Sequence, residues 1–231
     1  MASQTKVREM IAKNNAKKGG LSDKIVPIIL AIISAISILT TIAILFTLLT
    51  ETITFFTRVP LSKFFLSGTW NPTGSSPEFG IWALIIGTLK ITVIATIVAV
   101  PIGLGAAIYL NEYASDRSRR IIKPILEILA GIPTIVFGFF ALTFVTPILR
   151  NLIPNLGEFN SISPGIVVGI MIVPMITSMS EDAMSSVPDK IREGAFGLGA
   201  TKFEVATKVV LPAATSGVVA SIVLGISRAI G

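Results

Sequence analysis

Residues 189–212 read DKIREGAFGLGATKFEVATKVVLP, a polar and charged insert between two apolar segments. Asp189 complements the N-terminus of a short helix that continues through Glu193, Gly194 and Ala195. Gly197 and Gly199 would each weaken one long helix by about 1 kcal/mol relative to Ala, so they predict a turn. A second short helix is predicted to run to Val209-Val210-Leu211-Pro212. Pro212, whose missing N–H is tolerated at a first helical position, is predicted to open the next apolar run.

The chain around this insert is greasy. Of its 231 residues 52% are hydrophobic and only 14% charged, against roughly a quarter charged in soluble domains. Several apolar runs reach or approach the ~20 residues that carry a helix across a hydrocarbon core. The runs are long and continuous instead of short and alternating, which argues against a closed barrel. The expected fold is therefore all-α, a polytopic transmembrane helical bundle.

Five spans are predicted, at about 25–49, 81–110, 124–148, 164–180 and 212–231. A basic tail, 1–24, precedes them, and the loops 51–80 and 149–163 lie between them. The first span is too long for a signal-peptide core and lacks a small-residue cleavage site, so it reads as an uncleaved anchor. Basic residues fix the orientation. The tail holds six (Lys6, Arg8, Lys13, Lys17, Lys18, Lys24), the 111–123 connector four and the 181–211 segment four, whereas the two remaining loops hold only Arg58, Lys63 and Arg150. Fourteen against three places the N-terminus, the connector and the 181–211 segment in the cytoplasm and the loops outside. The last run stops at Gly231 without a flanking charge, so the chain is expected to end inside a helix, with a longer native protein continuing beyond it.

The sequence has no cysteine and no histidine, which excludes disulfides, thiol nucleophiles, histidine acid–base chemistry and zinc sites of the usual ligand set. No G-x4-G-K-[ST] segment occurs, so nucleotide hydrolysis would belong to another chain. No catalytic, cofactor or metal residue is expected. The net charge of +6 sits in the flanks of the spans, which argues for a membrane and against nucleic acid. On a cytoplasmic face, the 189–212 helix–turn–helix is suited to docking into a cleft of a soluble partner. An interfacial helix lying on lipid is the alternative, but mixed acids and bases on the polar face favour a protein.

From Glu193 to Pro212 the pattern E-G-A-x3-G-x9-V-x-L-P resembles the coupling loop of permease subunits of ABC importers, usually E-A-A-x3-G-x9-I-x-L-P. Gly194 and Val209 depart from the commonest residues while the spacing is intact. Gly87-Thr88-Leu89, Ala107 to Ala114 (AIYLNEYA), Ala130 to Gly138 (AGIPTIVFG) and Ser227-Arg228-Ala229-Ile230-Gly231 are similar to the phosphate-specific importer permeases. The outer loop with Trp70-Asn71-Pro72 and Phe79-Gly80-Ile81 is more similar to the PstC-type subunit than to its PstA-type partner. The resemblance implies a coupling helix that inserts into a groove of a cytoplasmic ATP-binding subunit, with Glu193, Gly194, Ala195 and Gly199 at the contact and Leu211-Pro212 leading back into the membrane. It implies a PstA-type partner permease and an extracytoplasmic phosphate-binding protein, and a family pattern that continues with Glu-Thr and a sixth span.

Arg228 is the candidate for the substrate path, since an arginine at mid-span costs ~2.5–3.5 kcal/mol on insertion scales and its donor fork suits a tetrahedral oxyanion. A snorkelling arginine is the bland alternative. Molybdate or sulfate would be served equally well, and a non-transporting scaffold or sensor subunit is a further reading. Lys90 and Glu127 read as structural, Glu127 pairing with Arg119, Arg120 or Lys123, and Glu181 and Asp182 as solvated loop acids. Pro101, Pro133 and Pro174 are expected to interrupt spans, with the short fourth span, split at Pro174, as the candidate moving gate.

Overall fold

Residues 21–231 are described by the computed structural model, with side chains from residue 25 onward; the basic side chains of the 1–24 tail lie outside the described residues. The chain divides into two units, one comprising the residues up to Ser67 together with Asn71–Phe79, the other Gly68–Trp70 with Gly80–Gly231.

In the first unit, helix α1 (Leu21–Arg58) is apolar on all sides and is followed by the short α2 (Leu61–Leu66). Its threonines return their hydroxyls to the backbone one turn earlier, as in Thr40 Oγ1 to the Ile36 carbonyl (2.8 Å) and Thr52 Oγ1 to Leu48 (2.7 Å). These hydroxyls are thus met within the segment, which is what a hydrocarbon environment demands. Residues 51–58, expected as loop, continue this helix. Phe55, Phe56, Phe64 and Phe79 close its end with edge-to-face ring contacts 5.3–5.9 Å apart. Two-residue strands, β1 (Trp70–Asn71) and β2 (Glu78–Phe79), form a hairpin in the loop that follows.

The second unit is built on three helices. Helix α3 (Ile81–Ile108) is extended by a π-helical turn, Tyr109–Tyr113; α7 (Ile162–Ser185) is the buried centre; α11 (Thr215–Ile230) packs on its other side. Small residues set the spacing. A Cβ on Gly165 would stand 2.7 Å from Ile94 Cβ, and one on Gly169 3.0 Å from the Ala95 carbonyl oxygen. On the other face a Cβ on Gly225 would stand 2.9 Å from Ile176 Cγ1. Close backbone approach through small residues is the usual route to helix association where lipid removes the hydrophobic drive. Buried hydroxyls add cross-links: Thr177 Oγ1 donates to the Gly103 carbonyl (3.1 Å), and Ser180 and Ser221 share a 2.6 Å hydrogen bond. Ser221 donates to the Val218 carbonyl, so Ser180 supplies the proton between the two hydroxyls.

These contacts fix direction. Positions 165, 169 and 177 of α7 meet 94, 95 and 103 of α3, so those two helices are parallel, while Ser180–Ser221 and Ile176–Gly225 make α11 antiparallel to α7. The ends at Tyr113, Ser185 and Thr215 therefore gather at one end of the bundle.

Between α3 and α7 lie α4 (Asp116–Ala130), α5 (Thr134–Phe140), a π-helical turn (Ala141–Val145) and α6 (Thr146–Leu152). Here the helices differ from the sequence expectation. The apolar run expected to begin at Pro124 is two elements, because α4 is amphipathic and the chain breaks at Gly131–Pro133, leaving Thr134–Leu152 as the helix long and apolar enough to cross a membrane. Pro174 does not split α7, which runs unbroken for 24 residues and is mostly buried; Pro101 likewise sits within a continuous α3. Among the described residues four helices are long and apolar enough to span, and a fifth if the bent pair Lys202–Ala213 and Thr215–Ile230, at 76°, counts as one.

Candidate functional site

The 189–212 segment folds as α8 (Asp189–Gly197), α9 (Lys202–Glu204), a π-helical turn (Val205–Val210) and α10 (Leu211–Ala213). The turn is made by Gly199 alone, whose φ of +84° is the left-handed conformation; Gly197 remains in the helix. The Gly199 N–H donates to the Phe196 carbonyl (2.9 Å) and the Ala200 N–H to that of Ala195 (3.2 Å), the paired closing bonds of a Schellman motif. Ala195 and Ala200 pack together against the core formed by Ala107, Met184, Val205 and Val210. The second arm opens with a capping box. Thr201 Oγ1 accepts from the Glu204 N–H (3.3 Å), and Glu204 Oε2 accepts from the Thr201 N–H (3.1 Å).

This packing sorts the expected docking residues. Glu193, Gly194 and Gly199 are exposed, Ala195 is half-buried and serves the core, and the neighbours Phe196, Leu198 and Phe203 present apolar side chains to the outside. Leu198 is 91% exposed. Such exposed apolar side chains around a rigid turn suit burial by a protein partner. Leu211 is half-buried and Pro212 exposed in α10; the next helix begins at Thr215, after Ala214, instead of at Pro212.

Sequence reasoning missed what holds the segment in place. Arg192, counted there only for its charge, uses all five of its N–H donors. Nε donates to Glu112 Oε1 (3.3 Å), Nη1 to the Val187 carbonyl (2.6 Å) and Asp189 Oδ1 (3.0 Å), and Nη2 to the Met184 carbonyl (2.7 Å) and Asn111 Oδ1 (3.2 Å). Asn111 is itself aimed by donating from Nδ2 to Ser185 Oγ (2.7 Å). Asn111 and Glu112 in the quoted AIYLNEYA stretch are thus the receiving groups at the end of α3.

A second cluster lines a cavity of about 510 Å³ among α4, α7 and α11. Glu181, expected as a solvated loop acid, is 1% exposed within α7 and meets Lys123 Nζ at 2.6 Å and Arg119 Nε at 3.8 Å. Glu127 takes no part in this pairing and is exposed. Arg228 lines the same cavity beside Pro174, at mid-length of α7. Its guanidinium is exposed, and among the described residues its one hydrogen bond is from Nη2 to the Ala130 carbonyl at 3.4 Å, in the AGIPT stretch. Lys90 is exposed on α3. Among the described residues no three metal-ligating side chains come together.

Several apolar helices long enough to span, a densely packed three-helix centre and a protruding helix–turn–helix define a multi-pass membrane protein. Residues 99–231 match the family of binding-protein-dependent transport system inner membrane components, and the chain belongs to it. It is 39% identical over 170 residues to the probable ABC transporter permease protein YqgH of Bacillus subtilis, covering 73% of this chain and 55% of that one. It is 37% identical over 188 residues to the phosphate transport system permease protein PstC of Haemophilus influenzae, covering 73% and 59%. PstC 1 of Mycobacterium tuberculosis is 33% identical over 201 residues, covering 73% and 60%. The chain thus spans 55–60% of the length of these relatives. A solved structure of the MetNI methionine ABC transporter in inward-facing conformations shares the fold, with a TM-score of 0.56 and 23% identity over 65% of this chain and 71% of that one.

Proposed function

We propose that the chain is the membrane-spanning subunit of an ATP-driven importer and contributes the translocation path for inorganic phosphate. ATP hydrolysis takes place on separate cytoplasmic subunits, which dock on Glu193, Gly194, Gly199 and the exposed Phe196, Leu198 and Phe203. A homologous PstA-type permease completes the path, an extracytoplasmic phosphate-binding protein delivers the anion, and lipid surrounds the bundle. The N-terminus, the 111–123 connector and the 181–211 segment face the cytoplasm.

The observation that carries this reading is the placement of the helix–turn–helix. Parallel α3 and α7 and antiparallel α11 bring Arg117, Arg120, Lys190, Lys202 and Lys208 to one end of the bundle with the docking segment, the charge asymmetry that marks a cytoplasmic face. The likeness to PstC permeases supports phosphate as cargo. Arg228 supports an oxyanion path, since most of its donors are uncommitted at mid-length of the central helix. Alternation between outward- and inward-facing states then follows from ATP-driven closure of the motor pulling on α8.

Co-purification tests the docking. The wild-type full-length chain should recover its ATPase, and Glu193→Ala with Gly199→Trp should not; equal recovery would sink the proposal. Arg228→Lys in an intact transporter should slow phosphate uptake at least ten-fold, and uptake at the wild-type rate would remove Arg228 from the path.

A further inference from the structure

We infer that Arg192 is the positioning residue that makes α8 move as one body with the ends of α3 and α7, so that force on the docking turn reaches both helices at once. The inference rests on the proposed ATPase docking and deepens it. Its basis is stoichiometric: five donors meet five acceptors, two carbonyls at the C-terminal end of α7, one carboxylate and one amide at the end of α3, and Asp189 on α8 itself. The side chain is 14% exposed and that of Glu112 7%, so water does not readily replace the bond between them, whereas the Asp189 carboxylate is solvated.

Geometry makes the link stiff. A planar guanidinium held at all three nitrogens has no rotamer freedom left, whereas an ammonium on the same stem offers three donors and reaches fewer acceptors. The positive charge also faces the carbonyl end of α7, where the helix dipole favours a cation. The neighbouring Glu193 faces outward, so one helix places its partner contact and its internal joint on adjacent residues of opposite direction.

The experiment uses the assembled transporter, with full-length chain, partner permease, ATPase and binding protein, in nanodiscs. Arg192→Ala should retain ATPase co-purification within two-fold while phosphate moved per ATP hydrolysed falls at least ten-fold; Arg192→Lys should fall about three-fold. Spin labels at Tyr113→Cys and Lys190→Cys, with any other cysteine of the complex replaced, should give a narrow distance distribution that broadens in Arg192→Ala. An unchanged transport-to-hydrolysis ratio or an unchanged distribution overturns the inference, as does loss of ATPase binding by the folded variant, which would make Arg192 a docking residue. Failure of the wild-type chain to recover ATPase overturns the docking reading itself. Should Arg192→Ala not insert, Glu112→Ala and Asn111→Ala each remove one acceptor and should lower the ratio about three-fold, and an unchanged ratio in both overturns the inference.

Discussion

Lys123 Nζ stands 2.6 Å from Glu181 Oε2, and this pair ties the amphipathic helix α4 to the buried helix α7. The contact is ionic and off the hydrogen-bond direction, and Arg119 Nε, 3.8 Å from the other oxygen, is likewise without a hydrogen bond. Removing one member of a fully buried pair costs about 3–5 kcal/mol. Lys123, 39% exposed, brings the expected cost of Glu181→Leu to about 2–3 kcal/mol. Thermal unfolding in detergent should show a lower Tm for Glu181→Leu and partial recovery in Glu181→Leu with Lys123→Leu. Additive losses in the double variant would mean the two side chains are not coupled.

Gly169 and Gly105 give opposite expectations for an added side chain. A Cβ at Gly169 meets the Ala95 backbone at 3.0 Å, which cannot swing away, while one at Gly105 meets nothing within 4 Å. Gly169→Val should therefore cost about 1–3 kcal/mol or more through overpacking of α3 on α7. Gly105→Ala should be neutral or slightly stabilising, because Ala is the better helix former by about 1 kcal/mol. Unfolding midpoints of the two variants check this directly.

At the docking turn, Gly199 is the strained position and Gly197 is not. With φ of +84°, Gly199→Ala should cost about 1–2 kcal/mol and loosen the turn. Gly197→Ala, inside α8 with open space around it, should be tolerated. ATPase recovery on the purified chain should fall for the first variant and hold for the second.

The capping box carries a pH signature. The Thr201 backbone N–H, Lys208 and the Thr201 hydroxyl hold the Glu204 carboxyl down from its ordinary 4.5 to about 2. A depressed folded-state value means that its stabilisation of the second arm is fully present above about 4.5 and is lost as pH falls through about 2. Carboxyl NMR should give a midpoint near that low value. In Thr201→Val with Lys208→Met it should move upward, and an unmoved midpoint would contradict the assignment of cause.

Much of this architecture is legible in one dimension. Apolar runs give the helices, and Gly199 with the flanking helix formers gives the turn within 189–212, because both depend on neighbours within a few residues. What depends on distant partners is hidden. Glu181 reads as a loop acid until Lys123, 58 positions earlier, is seen beside it. Arg192 reads as one more cytoplasmic charge until Asn111 and Glu112 come into range, at 81 and 80 positions' remove. The start of the third apolar helix is misplaced because Ile121, Ile125 and Ile128 of α4 are exposed on one face, which in sequence merges with the apolar run after Pro133. Helical periodicity across residues 116–130, not hydrophobic content, is the signal that separates α4.

The central claim is that the 189–212 segment faces the cytoplasm, where a motor can grip it. Lys202 is exposed at the start of its second arm, and residues 1–231 hold no cysteine that would compete with a label at Lys202→Cys. A membrane-impermeant maleimide should label that chain in inverted vesicles and leave it unlabelled in intact cells; labelling in intact cells would contradict the account.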